Sequence, residues 1–298
     1  MTTGTDPLAP LAGLPGVPEA VAEVRKAADR LYGHRVMRRR AAEVTSESAL
    51  RGARASAALD GADWPLEEVR RRSDFGADEQ ARVLGGALRV SAEVGQLLSV
   101  WRHSPLQVLA RLHLLAVGEG SPAEQAGRPR RGDERAEELF PLALEAVEGP
   151  AVGGGPFAGR LPAAPPAAEA AARLDQLAQL LVARADRAPG SGAPALVVAS
   201  VVHGELLALR PFASHNGVVA RAAQRIVLIA EGLDPKSICP AEVGLAELGT
   251  AAYQEALLGY SSGSADGMAA WITHCGRAVG LGVRESTAVC EAMQRGMV

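Results

Sequence analysis

The stretch Leu209-Arg-Pro-Phe-Ala-Ser-His-Asn-Gly-Val-Val-Ala-Arg221 joins two apolar segments whose patterns predict helices. The first helix is predicted from Ala195 to Leu209, and the second from Val218 to Glu231. Asn216 and Gly217 therefore stand at the start of the second helix. The first amides of a helix have no intrahelical acceptor, and the helix dipole adds partial positive charge there. The sequence therefore predicts an anion-binding site at this helix start.

The same stretch resembles the signature of the Fic (Fido) family, His-x-Phe-x-Asp/Glu-Gly-Asn-Gly-Arg-x-x-Arg, whose members typically move AMP from ATP onto a protein hydroxyl. The positions that match this pattern are Pro211, Phe212, Asn216, Gly217 and Arg221. The positions that depart from it are Arg210 in place of the catalytic His, Ser214 in place of the acid that holds magnesium, His215 in place of the first Gly and Val218 in place of the first Arg. The resemblance implies phosphate binding by Asn216, Gly217 and Arg221.

A second motif lies near the end of a helix predicted from Ser46 to Asp63, which we expect to stop at Gly61. Ser56-Ala-Ala-Leu-Asp60-Gly61 resembles the inhibitory motif of many Fic proteins, Ser/Thr-x-x-x-Glu-Gly, with Asp60 in place of Glu. In that family the acid pairs with the second Arg of the signature and keeps the ATP γ-phosphate from docking productively. Both partners are present in this sequence, so the resemblance implies that Asp60 pairs with Arg221.

The β-hairpin flap with which Fic proteins hold their protein substrate is not legible in this sequence. Residues Glu134 to Val147 have a helical pattern, and the Gly/Pro-rich tract 149–166 that follows is predicted to be a linker. We therefore expect an all-α, mainly helical protein, a Fic-like helical bundle whose flap is reduced or absent.

The order of these segments predicts four regions. Residues 1–16 are rich in Pro and Gly and are predicted to be disordered. Residues 17–120 are predicted to form N-terminal helices, of which the first runs from Val17 to Arg40 and a later one carries the inhibitory-type motif. Residues 121–276 are expected to form the Fic-like core, and residues 277–298 a C-terminal helix or tail.

Composition restricts the class of protein. Of the 298 residues, 48% are hydrophobic, which is enough for a buried core. A net charge of -3 and a pI near 6.1 give no overall positive field, so neither a nucleic-acid nor a membrane partner is expected. The three cysteines are not at metal spacing and no signal-peptide pattern opens the chain, which favours a reduced, cytoplasmic setting.

The substitutions in the signature bear directly on catalysis. Arg210 has no acceptor and stays charged, so it cannot serve as a general base. Ser214 offers only a neutral hydroxyl where Mg²⁺ prefers a carboxylate, so no metal is expected at this position. His215 is the candidate to replace the missing base, although a His in place of Gly also suits a positive φ. His113, in a context similar to the Leu-x-x-Leu-His helix of the family, is expected to be structural.

Three functions are consistent with these residues. The first is a degenerate Fic protein, a pseudoenzyme that binds a nucleotide phosphate, from ATP or another nucleotide, or a protein partner. The second is an active Fic-like nucleotidyltransferase in which Arg210 replaces the cation and His215 supplies the base. The third is a structural or interaction protein whose site is locked by Asp60 and Arg221. The resemblance also implies a homodimer as one mode of assembly.

Overall fold

The computed structural model describes residues 6–76, 78–118, 124–140, 159–187 and 191–297. Within these ranges the regular structure consists of α-helices and two short 3-10 helices, without any strand, so the all-α prediction is confirmed. No helix in the described ranges is both long enough and apolar enough to cross a lipid bilayer.

The α-helices of the described residues are numbered here in chain order. They are α1 (Val17–Tyr32), α2 (Met37–Leu59), α3 (Leu66–Arg71), α4 (Glu79–Glu93), α5 (Leu98–Trp101), α6 (Pro105–Val117), α7 (Ala167–Ala185), α8 (Ala195–Leu209), α9 (Asn216–Ala230), α10 (Ala241–Leu248), α11 (Thr250–Ser261) and α12 (Ala265–Gln294). The 3-10 helices are Ala9–Gly13 and Val94–Leu97.

The centre of the molecule is the antiparallel pair α8 and α9. Buried residues lie on every side of α8, as expected of a helix that is apolar all round. α9 is buried over almost its whole length and packs against α8 on one side and against α2, α4 and α6 on others. α12 contacts α1, α8, α10 and α11 and thus covers part of α8. The turn between α8 and α9 is therefore held in place by both of its flanking helices.

Small residues allow helices to cross closely. The core has few large aromatic side chains to fill wider gaps between helices, so such close crossings are needed. A Cβ atom on Gly244 of α10 would lie 2.0 Å from the carbonyl oxygen of Ala278 in α12. A Cβ atom on Gly86 of α4 would lie 2.2 Å from the carbonyl oxygen of Ala116 in α6. Real contacts are never this short, so the two crossings depend on glycine.

The N-terminal helices differ from the prediction in their boundaries. The single helix predicted from Val17 to Arg40 is two helices, because the chain turns after Gly33 and α2 begins at Met37. Apolar residues continue across this turn, so the pattern does not reveal the break. α2 ends at Leu59 with Asp60 as its C-cap residue, slightly before the predicted end.

The disorder predicted for residues 1–16 is wrong for residues 6–16, which are folded. Asp6 is buried and accepts hydrogen bonds from the Leu8 amide (3.1 Å) and the Ala193 amide (2.7 Å). It also pairs with the buried Arg184 guanidinium of α7. A buried ion pair with these backbone partners outweighs the Pro/Gly composition of the segment. Residues 1–5 lie outside the described residues.

Two further expectations concern the middle and the end of the chain. The helix predicted from Glu134 to Val147 is wrong for residues 134–140, which are non-helical, and residues 141–147 lie outside the described residues. In the tract 149–166, residues 159–166 are also non-helical, and residues 149–158 are not described. α12 continues unbroken across the boundary expected at residue 276.

A glycine substitution tests the crossing of α10 and α12. We expect Gly244→Ala to lower the free energy of unfolding by about 1 to 3 kcal/mol, because the added methyl group forces the two helices apart. Gly280→Ala in α12 is the matched control, since its Cβ would meet no atom within 4 Å. This control should leave stability unchanged or raise it by about 0.5 to 1 kcal/mol. Urea unfolding of both variants provides the measurement, and equal effects would contradict the close crossing.

Candidate functional site

The turn between α8 and α9 begins and ends with residues in the left-handed backbone region. Arg210 is the C-cap residue of α8 with φ 43°, and His215 precedes α9 with φ 59°. His215 thus has the positive φ that a residue in place of Gly was expected to adopt. These two conformations reverse the chain within six residues and direct the first amides of α9 into the turn.

Asn216 fastens this turn internally. Its Oδ1 accepts a hydrogen bond from the Phe212 amide (3.0 Å), and its Nδ2 donates to the Phe212 carbonyl (2.9 Å). The side-chain oxygen therefore holds the turn and does not cap α9. The Phe212 ring stacks on His113 of α6 at 4.2 Å between centroids, which is consistent with a structural role of His113.

Arg210 is buried and is anchored away from its own helix. Its Nη2 donates to the carbonyl of Pro162, and its own carbonyl oxygen accepts from Nε of Arg130 at 2.8 Å. Burial lowers the pKa of Arg210, and the negative charges of Glu137 and Glu138 oppose this shift. A positive charge therefore lies near the α9 start, where the Fic signature has a titratable imidazole.

Arg221, one turn into α9, is fully buried and is held by the end of α2. Its Nε donates to Ser56 Oγ (2.8 Å) and its Nη2 donates to the Ser56 carbonyl (3.0 Å). Nη2 also donates to Asp60 Oδ2 at 2.7 Å, so the ion pair expected between Asp60 and Arg221 is present. The charge of Asp60 raises the pKa of Arg221, although burial acts in the opposite direction as the largest single influence.

Gly217 lets the Asp60 carboxylate approach the first turn of α9. A Cβ atom at this position would lie 2.5 Å from Asp60 Oδ1 and 2.9 Å from Nη1 of Arg221. A side chain at position 217 would therefore displace the carboxylate. Gly61, the last residue of the inhibitory-type motif, has φ 93°, which a glycine adopts without strain, and it turns the chain away after Asp60.

Glu137 is the site residue that the sequence reasoning missed. Its Oε1 accepts hydrogen bonds from the Asn216 backbone amide at 2.6 Å and from Asn216 Nδ2 at 3.3 Å. Burial and the nearby charge of Asp60 raise the pKa of Glu137 to about 7, although hydrogen bonds from Asn216 and the His215 backbone act against the rise. Because residues 134–147 were predicted to be helical, nothing pointed to this contact. Two carboxylates of the chain itself thus lie at the predicted anion site.

The side chains of His215 and Ser214 contact each other. His215 Nδ1 lies 2.9 Å from Ser214 Oγ. Burial lowers the pKa of His215, and the charge of Arg89 adds to this, whereas the charge of Asp60 raises it. The imidazole is therefore neutral at pH 7.

A buried polar and aromatic cluster lies behind Arg221. His203 Nε2 of α8 is 2.5 Å from the Tyr253 hydroxyl of α11, and both side chains are fully buried. Tyr253 also stacks on Trp271 of α12 at 6.0 Å between ring centroids. Burial lowers the pKa of His203 well below its ordinary value. His203 therefore belongs to the core and not to the turn that carries Arg210.

The described residues contain no cluster of three or more His, Cys, Asp or Glu side chains arranged to hold a metal ion. The donors present around the turn are the backbone amides at the α9 start and the guanidinium groups of Arg210 and Arg221. Such donors suit an anionic oxygen, from a carboxylate or from a phosphate.

Comparison with solved structures identifies the fold. The chain matches a Fic family protein from Desulfovibrio desulfuricans G20 with a TM-score of 0.62 and 19% sequence identity, over 92% of this chain and 75% of that one. It matches Fic-1 from C. elegans with a TM-score of 0.63 and 14% identity, over 93% of this chain and 73% of that one. No family model matches the sequence, and a search of curated proteins finds no match. The chain thus has the Fic fold.

We expect the Asp60–Arg221 ion pair to contribute to the free energy of unfolding. Asp60→Ala leaves a fully buried guanidinium without its carboxylate, so we expect the free energy of unfolding to fall by about 2 to 3 kcal/mol. The control is Asp63→Ala, three residues away, whose exposed carboxylate pairs with Arg54. A surface pair of this kind contributes little, so the control should change stability by less than about 1 kcal/mol. Urea unfolding checks both variants. A loss of unfolding free energy no larger than that of the control would contradict a stabilising role of the Asp60–Arg221 pair.

Proposed function

We propose that this Fic-fold chain is a pseudoenzyme that binds the phosphate of ATP or of another nucleotide between α8 and α9, with impaired AMP transfer. The observation that carries this proposal is the α9 start itself. Its amides, Gly217 and the adjacent Arg221 are arranged around anionic oxygen, while Arg210 stands where the Fic signature has its base. The site is thus suited to hold a phosphate and poorly suited to transfer one.

The case for binding rests on which groups already lie at the turn. The Asn216 amide donates to a Glu137 carboxyl oxygen at 2.6 Å, so this amide is directed at an oxygen acceptor. Gly217 leaves room for an oxygen of Asp60 against the first turn of α9. A phosphate oxygen has the same charge and the same need for donors, so it would use the same positions once they are free.

The case against efficient transfer rests on two side chains. Arg210 is buried, with Nη2 committed to the Pro162 carbonyl, and a guanidinium has no lone pair with which to accept a proton. Loss of a general base typically costs about 10²- to 10⁴-fold in rate. Ser214 supplies a neutral hydroxyl, engaged with His215, where a carboxylate would be needed to hold magnesium.

Binding requires that the Asp60 carboxylate leaves. While Asp60 is in place, it occupies one Nη2 hydrogen bond of Arg221 and the space beside Gly217. If Asp60 moves away while Ser56 stays in place, Arg221 keeps its hydrogen bonds to Ser56. Its remaining donors then face the α9 start. A protein partner that moves the end of α2 would therefore open the site. In this way binding of a protein partner would be coupled to binding of a nucleotide phosphate.

A second candidate function is an active transferase that uses His215 as its base. The lowered pKa of His215 favours it, because the imidazole is neutral and able to accept a proton at pH 7. Its nitrogen Nδ1 is engaged with Ser214, and in the tautomer in which Nδ1 donates to Ser214 Oγ, Nε2 is the acceptor. Turnover that survives His215→Ala would eliminate this mechanism.

Calorimetry distinguishes a binding site from a permanently locked one. ATP should bind Asp60→Ala at least about tenfold more tightly than it binds the wild type, because closure by Asp60 competes with the phosphate. Asp63→Ala should behave like the wild type. Adding Gly217→Ala to Asp60→Ala should abolish binding, since a methyl group then stands where the anion approaches. Failure of Asp60→Ala to bind ATP would favour the purely structural role.

Labelling tests the absence of transfer. We expect ATP labelled at the α-phosphate to leave no label on any protein of a cell lysate, with the wild type and with Asp60→Ala alike. A Fic-fold enzyme with an intact His and acid, assayed in parallel, controls for the assay. Robust labelling by Asp60→Ala would contradict the pseudoenzyme, and its loss in Asp60→Ala/His215→Ala would establish the second candidate.

A further inference from the structure

We propose that the segment 130–140 is an intramolecular ligand of the α8–α9 turn, in which the Glu137 carboxyl group binds the first amide of α9 and closes the anion site from a part of the chain separate from α2. The inference deepens the proposed function, because the site that it closes is the one assigned to phosphate. It does not require that a nucleotide binds there.

The contact itself has the chemistry of a bound ligand. One carboxyl oxygen of Glu137 accepts two hydrogen bonds from Asn216, one from the backbone amide at 2.6 Å and one from the side-chain amide at 3.3 Å. The backbone amide is one of the orphan donors that a helix start offers. An external phosphate or carboxylate group must displace Glu137 to use it.

The chain on the N-terminal side of Glu137 is fixed to the turn. The Arg130 amide donates to the Pro211 carbonyl at 2.7 Å, and Nε of Arg130 donates to the Arg210 carbonyl at 2.8 Å. The Glu137 amide itself donates to the Ala213 carbonyl at 2.9 Å. The segment therefore runs beside the turn, attached to successive carbonyl groups of it.

The chain on the C-terminal side is fixed by apolar burial. Leu139 and Phe140 are both buried, and the Phe140 ring lies edge-on to Tyr253 at 4.8 Å between centroids. Phe140 has φ 57°, which turns the backbone so that its ring faces the core. With anchors on both sides, Glu137 is presented to Asn216 at a high effective concentration, as a tethered ligand is.

The charges that face Glu137 come from three neighbouring elements. Asp60 at the end of α2 repels its carboxylate, and Arg221 of α9 partly offsets the charge of Asp60. Arg210 at the end of α8 attracts the carboxylate, and His215 at the start of α9 is neutral at pH 7. Burial and the charge of Asp60 raise the pKa of Glu137 to about 7 from the ordinary value of 4.5.

Because the pKa of Glu137 is raised in the closed form, the stability of the closed form depends on pH. The closed form holds a proton on Glu137 more tightly than an open form with the carboxyl group in water. Closure is therefore strongest below about 4.5 and weakens as the pH rises towards 7, above which it is constant. The anion site should be most accessible at neutral and alkaline pH.

Amide hydrogen exchange of the whole protein, followed by NMR, tests the closure without any nucleotide. In the wild type, the exchange protection of the Asn216 amide should fall at least about tenfold between pH 5 and pH 7.5, after correction for the intrinsic rate. In Glu137→Gln, which keeps an acceptor oxygen but cannot ionise, protection should not depend on pH. In Glu137→Ala it should be lost at both pH values.

The matched control is Glu138→Gln, which removes the same charge from the adjacent, exposed residue and should retain the wild-type pH dependence. An unprotected Asn216 amide in the wild type at pH 5, or equal protection in wild type and Glu137→Ala, would overturn the closure. Either result would leave the proposed function standing, because ATP binding by Asp60→Ala is measured separately. Conversely, an absence of ATP binding together with pH-dependent protection would refute the proposed function alone.

Discussion

The guanidinium of Arg221 is the group on which the closed site depends. It lies in the core of the protein, where an unpaired charge would be very costly, so its partners are obligatory. Two of those partners, Ser56 and Asp60, belong to the end of α2. One turn further along α9, Arg225 reaches the Ser48 carbonyl of α2 and the carboxylate of Glu242. α2 is thus docked by two buried arginines of the same helix face.

The α9 start combines donors for an anion with two carboxylates that already occupy it. Asp60 comes from the N-terminal helices and Glu137 from the segment that precedes the central pair, so the two reach the turn on separate parts of the chain. Their mutual repulsion is tolerated because Arg221 and the α9 amides supply compensating positive charge. A site arranged in this way is stable when empty of any other ligand, which a cluster of cationic donors alone would not be.

The sequence was sufficient for features that depend on local pattern or on short motifs. Helical periodicity located the central pair, the signature placed Gly217 at the start of α9, and the position of His215 in place of Gly anticipated its positive φ. The order of the two motifs anticipated the pair between Asp60 and Arg221. Because both motifs are short and local, they could be recognised without knowledge of the packing.

The features that could not be predicted depend on contacts between distant segments. Residues 134–140 have a helical composition, yet hydrogen bonds to the α8–α9 turn hold them in a non-helical path. Residues 6–16 look disordered, yet a buried pair with Arg184 folds them. Tertiary hydrogen bonds decided each case, and propensity carries no information about them.

The separation of Asp60 and Arg221 along the chain has a consequence for biosynthesis. The two residues are 161 positions apart, so a ribosome adding about 5 to 20 residues per second makes the arginine roughly ten to thirty seconds after the aspartate. Throughout that interval Ser56 and Asp60 of the α2 end are without the arginine that binds them. In the nascent chain the Asp60 end of α2 is therefore made well before its partner on α9 is translated.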